Sequence, residues 1–279
     1  MKKIGLALGS GGARGLAHIL MFEVFEELGI KPAIISGSSI GAIMGASFAS
    51  GISSQEIRKV VDDLIFHKNS KFWELHKKAD ITKMFNFVDF GFRAGGIIKG
   101  EKLFKILQEE IKVKKFEDLE IPLKVVATDF WKKKEVIIDK GNIHTAVISS
   151  FSLPGIFPPV KWKNSLLIDG GLVNPLPYDI IKDDCDITVA IDVSANKSKS
   201  EKEFPPSYEV LFSSFQIMQN SIVQEKLKFS RPDILIRTDI KDIRIHEFLK
   251  AETIFRESKK AKSYLKRKLE KLIEHKKAV

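Results

Sequence analysis

The stretch that decides the fold is AIISGSSIGAIMGASFAS, residues 33–50. It opens with an apolar run of strand length, turns at Gly37-Ser38-Ser39-Ile40-Gly41, and continues in small and apolar residues typical of a buried helix. A G-x-S-x-G turn between a strand and a helix holds its serine in a strained conformation, and Gly37 and Gly41 remove side chains that would collide there. The pattern predicts that Ser39 projects as a nucleophile at the carboxyl end of a strand. An ordinary strand-to-helix turn with Ser39 as a helix cap is the alternative.

Strands and helices alternate on both sides of this segment. A strand is predicted over residues 3–9 and a helix over 16–28, and another helix begins at Ser53, where Glu56 completes a capping box. Further strands are predicted at 123–128, 135–139, 166–168, 187–193 and 234–237, and helices at 144–150, 208–229 and about 248–276. The β-α-β order predicts an α/β fold, a three-layer sandwich in which helices flank a central, mostly parallel sheet.

A second glycine-rich turn, Gly9-Ser10-Gly11-Gly12-Ala13-Arg14-Gly15, follows the first strand and opens the first helix. It does not match a nucleotide-binding loop, because the dinucleotide fingerprint would need glycine in place of Arg14 and a P-loop would need a Gly-Lys pair. What remains is a row of backbone N–H groups at a helix start, which suits an anion. An ester carbonyl becomes an oxyanion when it is attacked, so we expect Gly11 and Gly12 to donate to that oxygen.

A third motif, Asp169-Gly170-Gly171, follows the apolar run at residues 166–168. An acid at a strand end beside two glycines can approach another loop closely, which makes Asp169 a candidate partner for Ser39. Asp-Gly is also simply a good turn dipeptide. Asp129 and Asp192, which end other predicted strands, are competing carboxylates. The acidic residues and histidines show no ligand-like spacing, so neither a metal ion nor a cofactor is expected.

At these residues the sequence resembles the patatin-like phospholipase family, specifically its compact bacterial members. That family has a glycine-rich oxyanion loop of G-G-G-x-R/K-G type, a G-x-S-x-G serine and a D-G-G/A aspartate, in this order. The matching blocks are residues 10–15, 37–41 and 169–171, the proline-rich block at 149–160, and two blocks similar to bacterial members at 95–100 and 174–177. One departure is Ser10, which stands where many members have the first glycine of the loop.

The resemblance runs from Ile4 to about Val193 and implies a serine acyl hydrolase. Such an enzyme cleaves carboxylic esters of phospholipids or lysophospholipids through a Ser-Asp dyad without histidine, here Ser39 and Asp169. An aspartate with its ordinary pKa of about 3.9 is a poor base for an alcohol unless burial raises that pKa. The alternatives are a membrane-associated regulatory protein that uses its pocket little, and a soluble short-chain esterase.

Three further polar residues lie near the motifs. Arg14 could place positive charge near a lipid phosphate, or it could brace the glycine loop by donating to carbonyl groups; we favour bracing. His18 and His144 could belong to a conventional triad, but we interpret each as a structural histidine.

Composition favours one globular domain over residues 1–279. Hydrophobic residues make up 44% and charged residues 29% of the 279 residues, as is ordinary for a packed globule. The single cysteine excludes an internal disulfide and fits a reducing compartment, so we expect a cytoplasmic protein, with peripheral contact at the inner membrane face. Residues 32–55 contain no charge, but a buried strand and helix explain them better than a membrane span.

The net charge of +10 is concentrated at the carboxyl end. Residues 256–279 contain ten Lys or Arg and three Glu, hence 10 − 3 = +7, with apolar residues at helical spacing. They predict a basic amphipathic helix at about 248–276, which either docks on the core or is attracted to anionic lipid headgroups at about 1 kcal/mol per basic residue. Nucleic acid is not expected, because Tyr264 is the only aromatic residue interleaved with these charges.

Residues 66–100 show a weaker pattern, in which aromatic residues cluster among lysines and glycines. Long irregular stretches within a compact domain are usually functional. A substrate cover and a small satellite core cluster are both consistent with this composition.

Overall fold

The computed structural model describes residues 2–66, 108–194, 205 and 207–274. These residues form one mixed sheet of eight strands in the order β5-β6-β3-β2-β1-β7-β8, with β4 also paired to β3. The strands are β1 (Ile4–Leu8), β2 (Ile34–Ser38), β3 (Leu123–Asp129), β4 (Lys134–Ile138), β5 (Val160–Trp162), β6 (Ser165–Asp169), β7 (Ile187–Asp192) and β8 (Ile234–Arg237). The pairs β1–β2, β1–β7, β2–β3 and β7–β8 are parallel, and the pairs that include β4, β5 or β6 are antiparallel.

Helices cover both faces of this sheet. The described α-helices are α1 (Ala17–Glu27), α2 (Ile40–Ala49), α3 (Ser54–Phe66), α4 (Ile143–Phe151), α5 (Ser207–Phe229) and α6 (Ala251–Glu274). Alternation along β1 separates two cores: Leu6 and Leu8 pack with α1, α2 and α6, whereas Ala7 packs with residues of α5 and of the 3-10 turn Asp179–Asp184. The predicted three-layer α/β fold is therefore confirmed.

Most predicted elements have their bounds within two residues of the observed ones. The short strand β5 was not predicted, because three residues after two prolines carry no measurable periodicity. The predicted capping box at the start of α3 is present: Ser53 N donates to Glu56 Oε2 at 2.9 Å, and Glu56 N donates to Ser53 Oγ at 3.3 Å. The assignment of residues 1–279 to one domain stays a prediction.

Strand β3 brings two distant parts of the chain end to end. Along one edge it pairs with β4 over Val125–Asp129. Its opposite edge pairs in parallel with β2 up to Ser38↔Val126, and then antiparallel with β6 from Ala127↔Asp169 onward. Because β2 and β6 run toward each other along this edge, their carboxyl ends meet.

The carboxyl-terminal helix α6 packs its apolar stripe into the core against α1. Ile254, Leu265 and Leu269 on this stripe are fully buried. On its flank, Lys262 Nζ lies 2.6 Å from Glu23 Oε2 and 2.7 Å from Glu27 Oε1. The helix thus has the docked arrangement, and only its polar face is open to a partner.

Some predictions fall outside the described residues: nearly all of the 66–100 segment and the last residues of the basic helix. Among the helices that the structure describes, none is both long enough and apolar enough to cross a bilayer.

Candidate active site

Ser39 occupies the turn between β2 and α2 in a backbone conformation that serine rarely adopts. Its φ of 55° and ψ of −123° place it in a sparsely populated region, which costs on the order of 1–3 kcal/mol unless the surroundings enforce it. The turn is too crowded for side chains at its ends: a Cβ on Gly37 would lie 2.4 Å from Gly41 O, and one on Gly41 would lie 2.2 Å from Leu8 O. The Ser39 side chain makes no capping hydrogen bond to α2, so it is not an ordinary helix cap.

The hydroxyl of Ser39 points instead at Asp169. Its Oγ donates a hydrogen bond of 2.6 Å to Asp169 Oδ2, from a side chain that is 130 positions away in the sequence. The two residues meet because Ser39 follows β2 directly and Asp169 ends β6, and these strands converge on one edge of β3. The structure therefore brings together Ser39 and Asp169, the serine and the aspartate of the two sequence motifs.

Asp169 is a buried carboxylate with few donors around it. It is 1% exposed, and besides Ser39 its side chain accepts a hydrogen bond of 2.7 Å from Gly171 N to Oδ1. Burial raises the pKa of Asp169 to about 6, against the opposing effects of the Ser39 hydroxyl and the Gly171 amide. A carboxylate with this pKa is ionised at neutral pH and is a stronger base than an exposed aspartate.

Two serines of the proline-rich block, which the sequence did not single out as site residues, hold Ser39 and Asp169 in position. Ser150 Oγ accepts a hydrogen bond of 2.8 Å from Ser39 N, and Ser152 O accepts one of 3.0 Å from Asp169 N. Thr128 Oγ1 adds a bond of 2.7 Å to Asp169 O. The resemblance marked residues 149–160 as a block, but only the tertiary contacts assign these roles.

The glycine-rich loop presents two unused amide groups. Ser10 N donates to Pro175 O at 2.8 Å and Ala13 N donates to Ile245 O at 2.8 Å, whereas the N–H groups of Gly11 and Gly12, between them, have no acceptor among the described residues. Unpaired amides at a helix start are suited to an incoming anion. The Gly12 position admits only glycine, because its φ is +57° and a Cβ would lie 2.4 Å from Ile245 O.

This loop lies directly against the Ser39 turn. A Cβ on Gly15 would meet Ile40 Cγ2 at 2.3 Å, and a Cβ on Gly41 would meet Gly9 O at 2.9 Å. The serine turn, the glycine loop and Asp169 thus lie together at the carboxyl ends of β1, β2 and β6.

Arg14 is buried within the loop rather than exposed to a substrate. It is 2% exposed, and it donates from Nε to Val193 O at 3.1 Å and from Nη1 to Ile243 O at 2.8 Å. Burial lowers the pKa of Arg14 to about 10, and the charge of Asp192 opposes that effect. These contacts favour the bracing role over a role in binding a lipid phosphate.

Neither candidate histidine contacts the dyad in the described part of the chain. His18 Nε2 donates to Gly9 O at 2.9 Å, because a carbonyl oxygen can only accept. Burial lowers the pKa of His18 to about 4 and keeps its ring neutral. His144 Nε2 lies 2.7 Å from Ile111 O. Both bonds are those of structural histidines.

The competing carboxylates are engaged elsewhere. Asp129 Oδ1 accepts hydrogen bonds from the amides of Trp131 and Lys132 at 3.1 and 3.0 Å. Asp192 Oδ1 accepts one from Ser194 N at 2.9 Å, and its Oδ2 lies 3.5 Å from Arg237 Nε. Over the described ranges, no group of three or more His, Cys, Asp or Glu side chains is placed to hold a metal ion.

A family model described as patatin-like phospholipase matches residues 6–181. An uncharacterized NTE family protein of Mycobacterium tuberculosis is 30% identical over 206 residues, which are 74% of this chain and 53% of that protein. Neuropathy target esterase sws of Drosophila melanogaster is 36% identical over 181 residues, 64% of this chain and 12% of that protein. The chain thus spans about half of the mycobacterial relative and a much smaller share of the fly protein.

Among solved structures, VipD from Legionella pneumophila is similar with a TM-score of 0.50 and 14% sequence identity. The similarity covers 94% of this chain and 67% of that one. At this identity the likeness concerns the fold alone, and it agrees with the three-layer architecture.

Proposed function

This chain belongs to the patatin-like phospholipase family, and we propose that it is a serine acyl hydrolase that cleaves carboxylic esters of phospholipids or lysophospholipids. Ser39 is the nucleophile, Asp169 is the general base, and the amides of Gly11 and Gly12 form the oxyanion hole. The observation that carries this proposal is the 2.6 Å hydrogen bond from Ser39 Oγ to a buried Asp169 carboxylate.

In the acylation step, Ser39 Oγ attacks the carbonyl carbon of the ester while its proton passes to Asp169 Oδ2. The raised pKa of Asp169, about 6, makes this transfer less unfavourable than it would be for an exposed aspartate. Negative charge moves onto the carbonyl oxygen, and Gly11 and Gly12 donate to it. One such donor contributes about 3 kcal/mol to the transition state.

The same groups complete the cycle in reverse. Protonated Asp169 donates its proton to the departing alcohol or lysolipid, and the acyl group remains on Ser39. Water then attacks the acyl-enzyme while Asp169 removes a proton, and the collapse returns the proton to Ser39 and releases the fatty acid. The strained backbone of Ser39 and its bond to Ser150 hold the hydroxyl in place, so no rearrangement of the turn is needed at the moment of attack.

Fluorophosphonate labelling tests the nucleophile, with mass mapping of the modified residue. We expect one adduct on Ser39, and none on the Ser39→Ala variant. An unlabelled but folded wild-type protein would contradict the proposal and favour the regulatory alternative, in which the pocket is little used.

Substrate class is tested with fluorescent phospholipid analogues beside short nitrophenyl esters. We expect both to be turned over, with Ser39→Ala as the inactive control. Turnover of the nitrophenyl esters alone would reduce the protein to a short-chain esterase.

A further inference from the structure

The turn between β3 and β4 exposes two large aromatic side chains. Phe130 is 45% and Trp131 is 73% exposed, and their rings pack edge to face with centroids 4.8 Å apart. Exposure of such rings to water is unfavourable, whereas at a bilayer interface the amphipathic Trp ring sits at the headgroup level and the apolar Phe ring can enter the lipid. Two adjacent exposed aromatic rings make this turn a candidate contact surface.

The turn is held firmly in this shape. Asp129 accepts the amides of Trp131 and Lys132 on its side chain, and its backbone O accepts Lys133 N at 2.8 Å. These bonds close the turn beneath the aromatic pair. The exposure of Phe130 and Trp131 is therefore a property of an ordered hairpin.

A second hairpin lies beside the first. Phe130 N donates to Leu166 O at 2.8 Å, and Lys132 Nζ donates to Ser165 Oγ at 3.4 Å. The β5–β6 turn, residues 163–164, therefore ends next to the β3–β4 turn. We call residues 130–134 and 161–165 together the hairpin edge.

The hairpin edge is strongly basic. Five exposed lysines lie on it and neither stretch contains an acidic residue; they are Lys132, Lys133, Lys134, Lys161 and Lys163. Lys132 lies 3.4 Å from Asp129 Oδ2. The other four form no salt bridge within the part of the chain that the structure describes. Their charge is available to an anionic partner.

The hairpin edge also lies at the same end of strand β3 as the dyad. Asp169 pairs with Ala127 of β3, and Phe130 follows three residues farther along the same direction. At about 3.3 Å per residue, the edge projects about 10 Å beyond the dyad.

We propose that the hairpin edge docks on an anionic lipid bilayer, with Phe130 and Trp131 entering the headgroup interface and the lysines facing lipid phosphates. Charge complementarity and the exposed aromatic pair support a bilayer over a protein partner. The inference extends the proposed function, because docking there would bring Ser39 toward the lipid. Binding can nevertheless be measured without turnover.

The first experiment uses the Ser39→Ala protein, so that the vesicles are not hydrolysed. We expect a blue shift of tryptophan fluorescence on vesicles of phosphatidylcholine and phosphatidylserine, and a much smaller one on phosphatidylcholine alone. The shift should disappear in Ser39→Ala/Trp131→Phe and persist in Ser39→Ala/Trp162→Phe, because Trp162, the other tryptophan on the hairpin edge, packs against the core. A full shift that survives Trp131→Phe would mean that Trp131 does not enter the interface, and it would overturn the proposal.

The second experiment compares two charge reversals of equal size. One variant carries Lys133→Glu, Lys161→Glu and Lys163→Glu; the matched control carries three reversals on the exposed face of α6, at Lys259, Lys260 and Arg267. The hairpin variant should lose at least about tenfold in vesicle partitioning and the α6 variant less than about threefold, since each basic residue counts only near the lipid surface.

An equal loss in both variants, or a larger loss in the α6 variant, would overturn the proposal. So would binding of the wild type to acidic protein or nucleic acid with no binding to vesicles. In the active background, both variants should hydrolyse a soluble nitrophenyl ester at the wild-type rate. Absence of that activity in the wild type would contradict the proposed reaction and leave the docking surface standing.

Discussion

Two aspartates end neighbouring strands of the sheet, and their pKa values are shifted in opposite directions. Asp169 ends β6 and Asp129 ends β3, and both side chains are almost fully buried, at 1% and 2% exposed. Yet the pKa of Asp169 is raised to about 6, whereas that of Asp129 is lowered to about 2. The same residue type at the same edge of one sheet is suited to two different tasks.

Desolvation and hydrogen-bond donors together account for the difference. Burial disfavours the charged form of both carboxylates. At Asp129 this cost is small, and the Ser165 hydroxyl, the Lys132 amide and the Lys132 ammonium outweigh it, so the carboxylate stays ionised and closes a turn. At Asp169 the hydrogen bonds from Ser39 and Gly171 do not outweigh the effect of burial, so the pKa stays raised and the carboxylate can act as a base. A strand-end acid is therefore a candidate base only when it is strongly desolvated and has few hydrogen-bond donors around it.

The largest expected effect separates the two aspartates by activity. Asp169→Asn should lower kcat/KM by about 10³-fold or more, because the amide cannot accept the proton of Ser39. Asp129→Asn, the matched control, should stay within about threefold, since Asn can still cap the turn. Steady-state hydrolysis of a nitrophenyl ester measures both. Equal losses would show that the comparison does not identify the base.

The pH dependence of activity should follow Asp169. Because the base must be unprotonated, kcat/KM should rise with pH through about 6, the pKa of Asp169, and level off above it. Below that pH it should fall about tenfold per unit. The measurement is kcat/KM against pH in buffers of constant ionic strength. A midpoint near 4, roughly the ordinary value for aspartate, would mean that burial does not tune this group.

Stability should respond to the two aspartates with opposite signs. The raised pKa of Asp169 means that protonation favours the folded state, so its contribution is full below about pH 4 and is lost as the pH rises through about 6. Asp169→Asn should therefore raise the free energy of unfolding at pH 7 by up to about 3 kcal/mol, from about two pKa units, and by little at pH 4.

The lowered pKa of Asp129 gives the reverse dependence. Its contribution is present above about pH 4 and is lost as the pH falls toward about 2, so Asp129→Asn should destabilise the protein at neutral pH. Urea unfolding of both variants across this range checks the signs. Parallel pH profiles for the two variants would contradict the assigned environments.

The smallest expected effects concern the histidines. His18→Ala and His144→Ala should each keep activity within about tenfold of the wild type, because neither ring contacts Ser39 or Asp169 and each bonds a backbone carbonyl. Circular dichroism establishes that the variants fold before their activity is compared. If His144→Ala alone abolished turnover in a folded protein, the base would not be Asp169.

The Ser39 turn was predictable from the sequence, because a strand, two glycines and a helix within 18 residues are a local pattern. Asp169 was only one of three strand-end carboxylates until the family resemblance selected it. Bracing was favoured for Arg14 but could not be established, since both interpretations need the same residue at the same place. Its bonds to Val193 O and Ile243 O come from parts of the chain about 180 and 230 positions away.

The two lysine-rich surfaces, on α6 and on the hairpin edge, also show what could not be predicted from the sequence alone. The basic amphipathic pattern of α6 was visible in the sequence, but its apolar stripe is buried against α1. The hairpin edge was not visible, because it joins two short stretches that are about 30 residues apart and β5 carries too little periodicity to be recognised.

The sequence by itself determined the α/β class, the family, and the tight turn at Ser39, because strand and helix periodicity, glycine requirements and turn chemistry act over a few residues. The tertiary structure decided which carboxylate meets the serine, which amides stay unpaired and which lysines share a surface. Those outcomes depend on β2 and β6 sharing one edge of β3, and strand pairing between distant segments is set by the packing of the whole sheet.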